Sequence, residues 1–324
     1  MKDIVTLDYG SGGKKTSLLI EKYILPKFGN NALCALGDGA VLDNLAFSTD
    51  SFVVNPLFFP GGDIGKLAVC GTVNDLSMCG AEPEYLSCAL IIEEGLEFEI
   101  LEKVLASMQD AARLSGVQIV TGDTKVVERG RGDGLYINTA GIGRIRKRLP
   151  GLESVVPGDA ILVSGTVGDH GTAVMLARSG MMQGEITSDC APLNMLVSDM
   201  LQSGAQVKML RDPTRGGIAT TLNEFTEGQD FGIELKEDSI PVRPQVKVAC
   251  DMLGLDPLYC ANEGKLLCVC SQADAGKLLS VMGPEAAQIG QVTAETAGKV
   301  VMRTGLGGRR ILQKLAGAQL PRIC

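Results

Sequence analysis

The sequence predicts an α+β protein of two mixed α/β domains followed by a flexible C-terminal tail, and three observations carry that prediction. The chain has 324 residues, about twice the length of a typical domain. Short apolar stretches suited to strands are interleaved with stretches of helical periodicity along its whole length. A polar, proline-bearing connection from Arg144 to Pro157 interrupts that pattern, as a domain boundary does. The divisions drawn from these signals are a glycine-rich segment and helix over residues 1–34, a first domain over 35–150, a second over 151–310, and a tail over 311–324.

Composition sets the outer limits. Hydrophobic residues make up 45% and charged residues 21% of the chain, as in an ordinary folded protein. The net charge of −8 argues against broad binding to nucleic acid or an anionic membrane. No basic-then-apolar signal opens the sequence and no apolar run approaches the roughly 20 residues that span a bilayer, so a cytoplasmic protein is expected. In that setting the ten cysteines read as reduced core thiols rather than disulfides. Cys268 and Cys270 fall on one face of a strand, but no second Cys/His pair with zinc-finger spacing accompanies them. The sequence holds one histidine, His170, which leaves carboxylates, lysine and thiol to carry most of the chemistry.

The elements follow in order. Tyr9-Gly-Ser-Gly-Gly-Lys-Lys-Thr16 lets backbone amides and two lysines crowd an anion. It reads either as a phosphate-covering flap, with Gly12 and Gly13 at its centre, or as a flexible N-terminus. Ser17 to Phe28 is amphipathic. Gly37-Asp38-Gly39-Ala40 is a turn between short strands, and Leu45 to Thr49 is a strand ending in Asp50. Asp63 caps a helix from Ile64 to about Met78, ended by Gly80. Asn74 and Asp75 interrupt the apolar surface of that helix, and polar residues in such a place need a partner. Tyr85 to Ile92 is a strand. Phe98, Leu101, Val104, Leu105, Met108 and Ala112 mark one helical face, closed by Gly116. The strand Val117 to Thr121 leads into Gly122-Asp-Thr-Lys125, and Leu135 to Ile142 completes the domain. Any one of Asp38, Asp50, Asn74, Asp75 and Asp123 passes as a turn former or cap. Together their hard oxygen atoms suit Mg²⁺, which bridges carboxylates to nucleotide phosphates. Lys125 beside Asp123 is a phosphate ligand, a proton carrier or a surface ion pair.

The second domain opens near Pro157-Gly-Asp159 with the strand Ala160 to Ser164. Gly165 to Gly171 is a glycine-rich helix entry in which Asp169 and His170 meet a ligand or cap the helix. A helix runs from about Cys190 to Gln202, and Val207 to Leu210 is a strand. Arg211-Asp-Pro-Thr-Arg-Gly-Gly217 then enters the helix Ile218 to Glu227, where glycines permit close approach of an anion. Asn262 and Glu263 precede the strand Leu266 to Cys270, with Glu263 as a candidate base or a turn residue. Ser271 with Asp274 caps a helix to Met282, and Ile289 to Val292 and Val300 to Arg303 are strands.

The final stretch, Pro321-Arg-Ile-Cys324, ends a segment of little pattern. Cysteine is a poor choice for a frayed end, because an exposed thiol oxidises and cross-links. Pro321 stiffens the approach to it. Seven residues from Gly317 reach about 25 Å when extended, enough to carry Cys324 into a distant pocket as a tethered substrate arm. An inert last residue is the alternative.

Taken together, Gly37-Asp-Gly39, Ser48-Thr-Asp50, Thr72-Val-Asn-Asp75, Thr121-Gly-Asp-Thr-Lys125, Pro157-Gly-Asp159, Arg211 to Gly217 and Asn262-Glu-Gly264 form a series with a known counterpart. It resembles the ATP-dependent superfamily of aminoimidazole ribonucleotide synthetase, selenophosphate synthetase and thiamine-phosphate kinase. With Gly10-Ser-Gly-Gly13, Phe58-Phe-Pro-Gly-Gly62 and Pro321-Arg-Ile-Cys324, the resemblance extends end to end to the HypE family of hydrogenase maturation. Asp8-Tyr9 departs from the Ala-His or Gly-His pair of that family. The resemblance implies the aminoimidazole ribonucleotide synthetase-like fold, with ATP bound by the first domain. It implies that a HypF-type carbamoyltransferase loads Cys324 with a carboxamide, which is dehydrated with ATP and Mg²⁺ to a thiocyanate. The cyanide then passes to iron on the HypC and HypD scaffold. It further implies a homodimer formed by the N-terminal domains. Asp38, Asp50, Asp75 and Asp123 are the expected metal and phosphate ligands, with Asn74, Gly12 and Gly13 beside the nucleotide. Lys125 and Glu263 are the expected base system and Cys324 the carrier. A small-molecule kinase or synthetase of the same superfamily would need the aspartates but not Cys324, and a non-catalytic thiol carrier would need Cys324 but not Mg-ATP.

Overall fold

The structure, a computed structural model, describes residues 4–180, 186–317, 319–320 and 322–324. Pro321 therefore lies outside the described residues. The chain opens with a nearly continuous helical run, α1 (Lys14–Leu19), a π-helical turn over Ile20–Ile24 and α2 (Leu25–Phe28). Its apolar side chains, Leu18, Tyr23 and Phe28 among them, remain largely exposed.

The first sheet is built from β1 (Ala40–Leu42) and β2 (Leu45–Phe52); the short ribbon β3 (Phe58–Phe59) and β4 (Gly62–Asp63) stands apart. Then come α3 (Ile64–Met78), β5 (Ala81–Glu93), α4 (Phe98–Ser115), β6 (Gln118–Val127) and β7 (Leu135–Ile145). The strand order is β1-β2-β7-β5-β6, with β6 parallel to β5 and the other pairs antiparallel.

Asp63 starts α3 as its sequence position dictates, accepting hydrogen bonds from Gly65 N at 2.7 Å and Lys66 N at 3.2 Å, and so satisfies two of the free amides of the first turn. Gly80 follows its end at φ +73°. The helix is buried nearly all round, against Phe52, Ala46, Leu86 and Ile137 of the sheet and Val104 and Met108 of α4. The apolar face of α4 is rotated from the expected one. Ala111 is buried with Val104, Met108 and Ala112, whereas Phe98 and Leu105 face outward.

The strand β6 does not stop at Thr121 but continues through Asp123 and Lys125 to Val127. Gly122 makes that possible, because a Cβ there would lie 2.1 Å from the Cys88 carbonyl oxygen on β5. Every residue of β6 up to Val126 is exposed, and it forms an unpaired sheet edge.

The second sheet holds β8 (Ala160–Val163), β9 (Val207–Arg211), β10 (Gly232–Lys236), β11 (Leu267–Cys270), β12 (Ala287–Thr293), β13 (Val300–Arg303) and β14 (Arg309–Leu312). Its order is β14-β13-β10-β12-β8-β11-β9, with only the β10–β13 pair parallel. Among the described residues the helices that accompany it are α5 (Asp169–Ser179), α6 (Asn194–Gln202), α7 (Gly217–Thr226), α8 (Pro244–Leu253) and α9 (Ala275–Met282). Both faces of the sheet are covered. Ile161, Val163, Leu267 and Val269 pack on one side, and Ala160, Leu162, Cys268 and Cys270 pack on the other. The two cysteines share a face as strand alternation requires, and that face is apolar core.

After β14 the chain returns to the first sheet. Leu315 O accepts from Lys14 N at 2.9 Å, and the final residues lie along the segment after β2. Val53 N donates to Cys324 O at 3.0 Å, and Asn55 N donates to Arg322 O at 3.4 Å. Ile323 and Cys324 are buried in the core beside α3.

Candidate active site

Three elements converge where the two sheets meet. The turn before β1 supplies Asp38, α3 supplies Asp75, and the loop after β9 supplies Asp212. One carboxylate oxygen from each lies within 4.8 Å of the other two. Sequence reasoning named Asp38 and Asp75 but missed Asp212. Its signal was its place between two arginines at the end of a strand. In the structure Arg211 binds Asp38 at 2.9 Å and Glu224 at 2.9 Å.

The electrostatics are those of crowded acids. Burial lifts Asp38 to about 6 against the pull of Arg211. Burial raises Asp75 well above the carboxylate range, reinforced by Asp212, Asp38 and Asp50, although Ser48 donates to Asp75 Oδ2 at 2.6 Å. Asp212 is raised by burial and then by Asp38. Asp50 stands beside this group and is raised by burial, with Arg215 opposing.

A divalent cation relieves such a cluster by replacing mutual repulsion with coordination. The donor set is hard oxygen, and Asp38 Oδ2 is buried with no hydrogen-bond partner among the described residues. The residues thus fit Mg²⁺.

Glu263 is held by its backbone while its carboxyl is left open. Its N–H donates to Asp189 Oδ1 at 3.2 Å, and the N–H of Gly264 donates to Asp189 Oδ2 at 3.3 Å. Asn74 Nδ2 donates to the Glu263 carbonyl at 3.2 Å and to Ala191 O at 3.1 Å, while Asn74 Oδ1 accepts from Leu193 N at 2.8 Å. Asn74 is therefore engaged with protein, and its part here is to hold Glu263. Asn262 does the same from the other side, accepting from Gly168 N at 2.7 Å and donating to Pro213 O at 3.0 Å. Glu263 Oε1 is buried without a hydrogen-bond partner among the described residues. Burial, then Asp212 and Asp50, push its pKa well above the usual carboxyl range. A carboxylate so placed takes up a proton readily.

Cys324 sits in the same region, 6% exposed. Burial pushes its thiol up to about 12, with Arg215 pulling it down and Glu263 and Asp50 pushing it further up. Arg215, which the sequence placed only in the turn before the helix Ile218 to Glu227, has its own pKa raised first by Cys324 and next by Asp50, against its desolvation. Gly12 lies against it, since a Cβ on Gly12 would come within 2.8 Å of the Arg215 Cβ, and Gly13 packs on the Leu315 carbonyl. The glycine segment thus covers the site and the returning tail.

Lys125 and Asp123 are not brought to this cluster within the chain. They sit exposed on the same side of β6, joined at 2.7 Å, an alternation the expected loop would not have produced.

This architecture and its acid cluster define a class. Residues 36–145 match the N-terminal domain, and residues 156–303 the C-terminal domain, of the AIR synthase related proteins. Within that class the chain belongs to the HypE family of carbamoyl dehydratases. It is 48% identical to carbamoyl dehydratase HypE of Bradyrhizobium diazoefficiens over 99% of this chain and 96% of that protein. Among solved structures, HypE in complex with ATP has 51% identity and a TM-score of 0.83 over 99% of this chain and 100% of the other. HypE in a HypE–HypF complex has 46% identity and a TM-score of 0.87 over 92% of this chain and 99% of the other. No described helix is long and apolar enough to cross a membrane.

Proposed function

We propose that the protein is an ATP-dependent carbamoyl dehydratase that converts a carboxamide on the Cys324 sulfur to a thiocyanate, supplying cyanide for the iron centre of [NiFe]-hydrogenase. The observation that carries this reading is the seating of Cys324. Its thiol is buried beside Arg215, Glu263 and Asp50, where a group carried on the sulfur meets both a base and a positive charge.

The chemistry follows from the leaving group. A carboxamide loses water only if its oxygen is activated, and transfer of the γ-phosphoryl group of ATP to that oxygen does so. The C–O bond then breaks with departure of phosphate, while the nitrogen loses its protons and its lone pair completes the C≡N bond. Glu263, open and desolvated at the docked tail, accepts a proton. Arg215 balances negative charge near the sulfur, and Gly12 and Gly13 cover the nucleotide. Asp38, Asp75 and Asp212, with Asp50 beside them, would hold Mg²⁺, which would neutralise phosphate charge.

Lys125 and Asp123 belong to this base and phosphate system through a homodimer. The exposed edge strand β6 carries them together with exposed Ile119, Val120 and Val126, a surface that a second copy covers while presenting the pair to a neighbouring site. The carboxamide donor is a HypF-type carbamoyltransferase, in keeping with the HypE–HypF complex of the similar structure, and the acceptor of cyanide is the HypC and HypD scaffold. Ten free cysteines are at home in a reducing cytoplasm.

The test separates loading from dehydration. Glu263→Gln and Lys125→Ala are expected to accept the carboxamide at the normal rate but to slow its dehydration by about 10²-fold or more. Unimpaired dehydration in both variants removes them from the base system.

A further inference from the structure

The chain's single histidine has no place in the chemistry above, yet it is fully buried and touches the tail. His170 Nε2 lies 2.9 Å from the Ile323 carbonyl oxygen, and its Nδ1 lies 2.8 Å from Ser188 Oγ. The Ile323 carbonyl can only accept, so Nε2 carries the hydrogen, and Nδ1 of the neutral ring accepts from the Ser188 hydroxyl, whose oxygen also accepts from Cys190 N at 3.0 Å. The proton of the neutral ring is then on Nε2, aimed at Ile323. Phe59 fixes the ring plane edge-on, with centroids 5.3 Å apart, and Ser188 is itself anchored by its N–H to Pro60 O at 2.7 Å.

The next carbonyl along the tail is gripped by the other end of the same helix. Arg178 Nη2 donates to Arg322 O at 2.8 Å, and its Nε donates to Asn55 O at 2.8 Å. Helix α5 therefore reads two successive backbone carbonyls of the tail. A tail that must leave to be loaded and return to be dehydrated needs a docked state that is discrete but reversible. Two hydrogen bonds to its backbone give that, a neutral one from His170 and a charge-assisted one from the Arg178 guanidinium, because each contributes modest net stability while an unmade one leaves a buried polar group unpaired.

We propose that His170, held in its Nε2–H tautomer by Ser188, is a positioning residue that latches the docked tail through the Ile323 carbonyl and sets how much of the time Cys324 spends at Glu263. As a role in dehydration, this rests on the function proposed above; as a latch, it does not.

Alkylation of Cys324 tests it directly, read by mass spectrometry of the C-terminal peptide in the full chain, with the exposed Cys34 as internal reference. Reagent reaches Cys324 only when the tail is out, so the rate follows the undocked fraction. In His170→Asn the shorter amide remains near Ser188 but cannot reach Ile323. Cys324 is expected to react about tenfold faster, with Cys34 unchanged. His170→Gln places an amide N–H near the original Nε2 and is expected to stay within about twofold of the parent. Ser188→Ala, which leaves the ring free to change tautomer, falls between them and carries the test if a His170 variant fails to fold.

Dehydration of the preloaded tail in a single turnover is expected to fall with the docked fraction in His170→Asn. Half-saturation by ATP and the rate of loading are expected to stay unchanged. Alkylation of Cys324 at the parent rate in both His170→Asn and Ser188→Ala overturns the latch. If those variants expose Cys324 as expected but the loaded parent protein shows no ATP-dependent dehydration, the latch stands and the dehydratase reading falls.

Discussion

Asp38 and Glu263 have the same peculiarity, a buried carboxyl oxygen with no hydrogen-bond partner among the described residues, and each has a measurable consequence. Leaving such a group unpaired costs about 1–3 kcal/mol, so the folded chain tolerates it only where a ligand makes up the loss. Burial raises Asp38 from the ordinary 3.8 to about 6. Without a cation, its contribution to stability is full below about pH 4 and is lost as pH rises through about 6. A cation reverses the balance by displacing the proton. Magnesium affinity, measured by titration calorimetry or by the rise in melting temperature, is therefore expected to weaken about tenfold per pH unit below about 6. Affinity independent of pH between 5 and 7 contradicts the assignment. Asp50→Asn and Asp123→Asn are each expected to lower Mg-ATP turnover while leaving the fold intact. Unchanged turnover in both removes them from the site.

At the scale of elements, α3 decides where the site is. Gly71 lies against Phe52, and a Cβ there would approach the ring at 2.9 Å. Gly71→Ala is expected to cost about 1–3 kcal/mol through overpacking, visible as a lower melting temperature. ATP turnover should fall with it, because the helix carrying Asn74 and Asp75 must shift. An unchanged melting curve shows that the ring yields freely. This helix was legible in the sequence from its cap at Asp63 to its stop at Gly80, because both ends rest on local hydrogen bonding and backbone conformation. The polar Asn74 and Asp75 in its apolar surface announced a site for the same reason. What stayed hidden depended on distant pairing. Nothing local distinguishes Thr121 as a strand end from Thr121 as mid-strand, and only pairing with β5 carries β6 on to Val127. Asp212 and Arg215 were equally opaque, since an arginine beside an aspartate reads as a surface pair until Asp38 and Cys324 are brought from opposite ends of the chain. The tail was readable as a reactive arm from Cys324, but its docking along Val53 to Asn55 uses backbone groups that carry no sequence signal.

As a whole, the molecule has a long strand edge, β6, that no described residue covers. The β6 edge is exposed and partly apolar, and such an edge is a template for pairing. Light scattering is expected to give a dimer mass, and Val120→Lys, which places a charge on that edge, is expected to shift the population toward monomer and lower dehydration together. A monomer with full ATP-dependent activity rules out the paired arrangement and leaves Lys125 without a route to the site. The tail, the acid cluster and the base serve one reaction, and the mass of the C-terminal peptide reports on all of them. With carbamoyltransferase and carbamoyl phosphate present, Cys324 is expected to appear as the carboxamide when ATP is withheld from the loaded, purified chain, and to lose one water when Mg-ATP is added. A loaded tail that loses water equally well without ATP, or a Cys324→Ala chain that still delivers cyanide to the scaffold, contradicts the account.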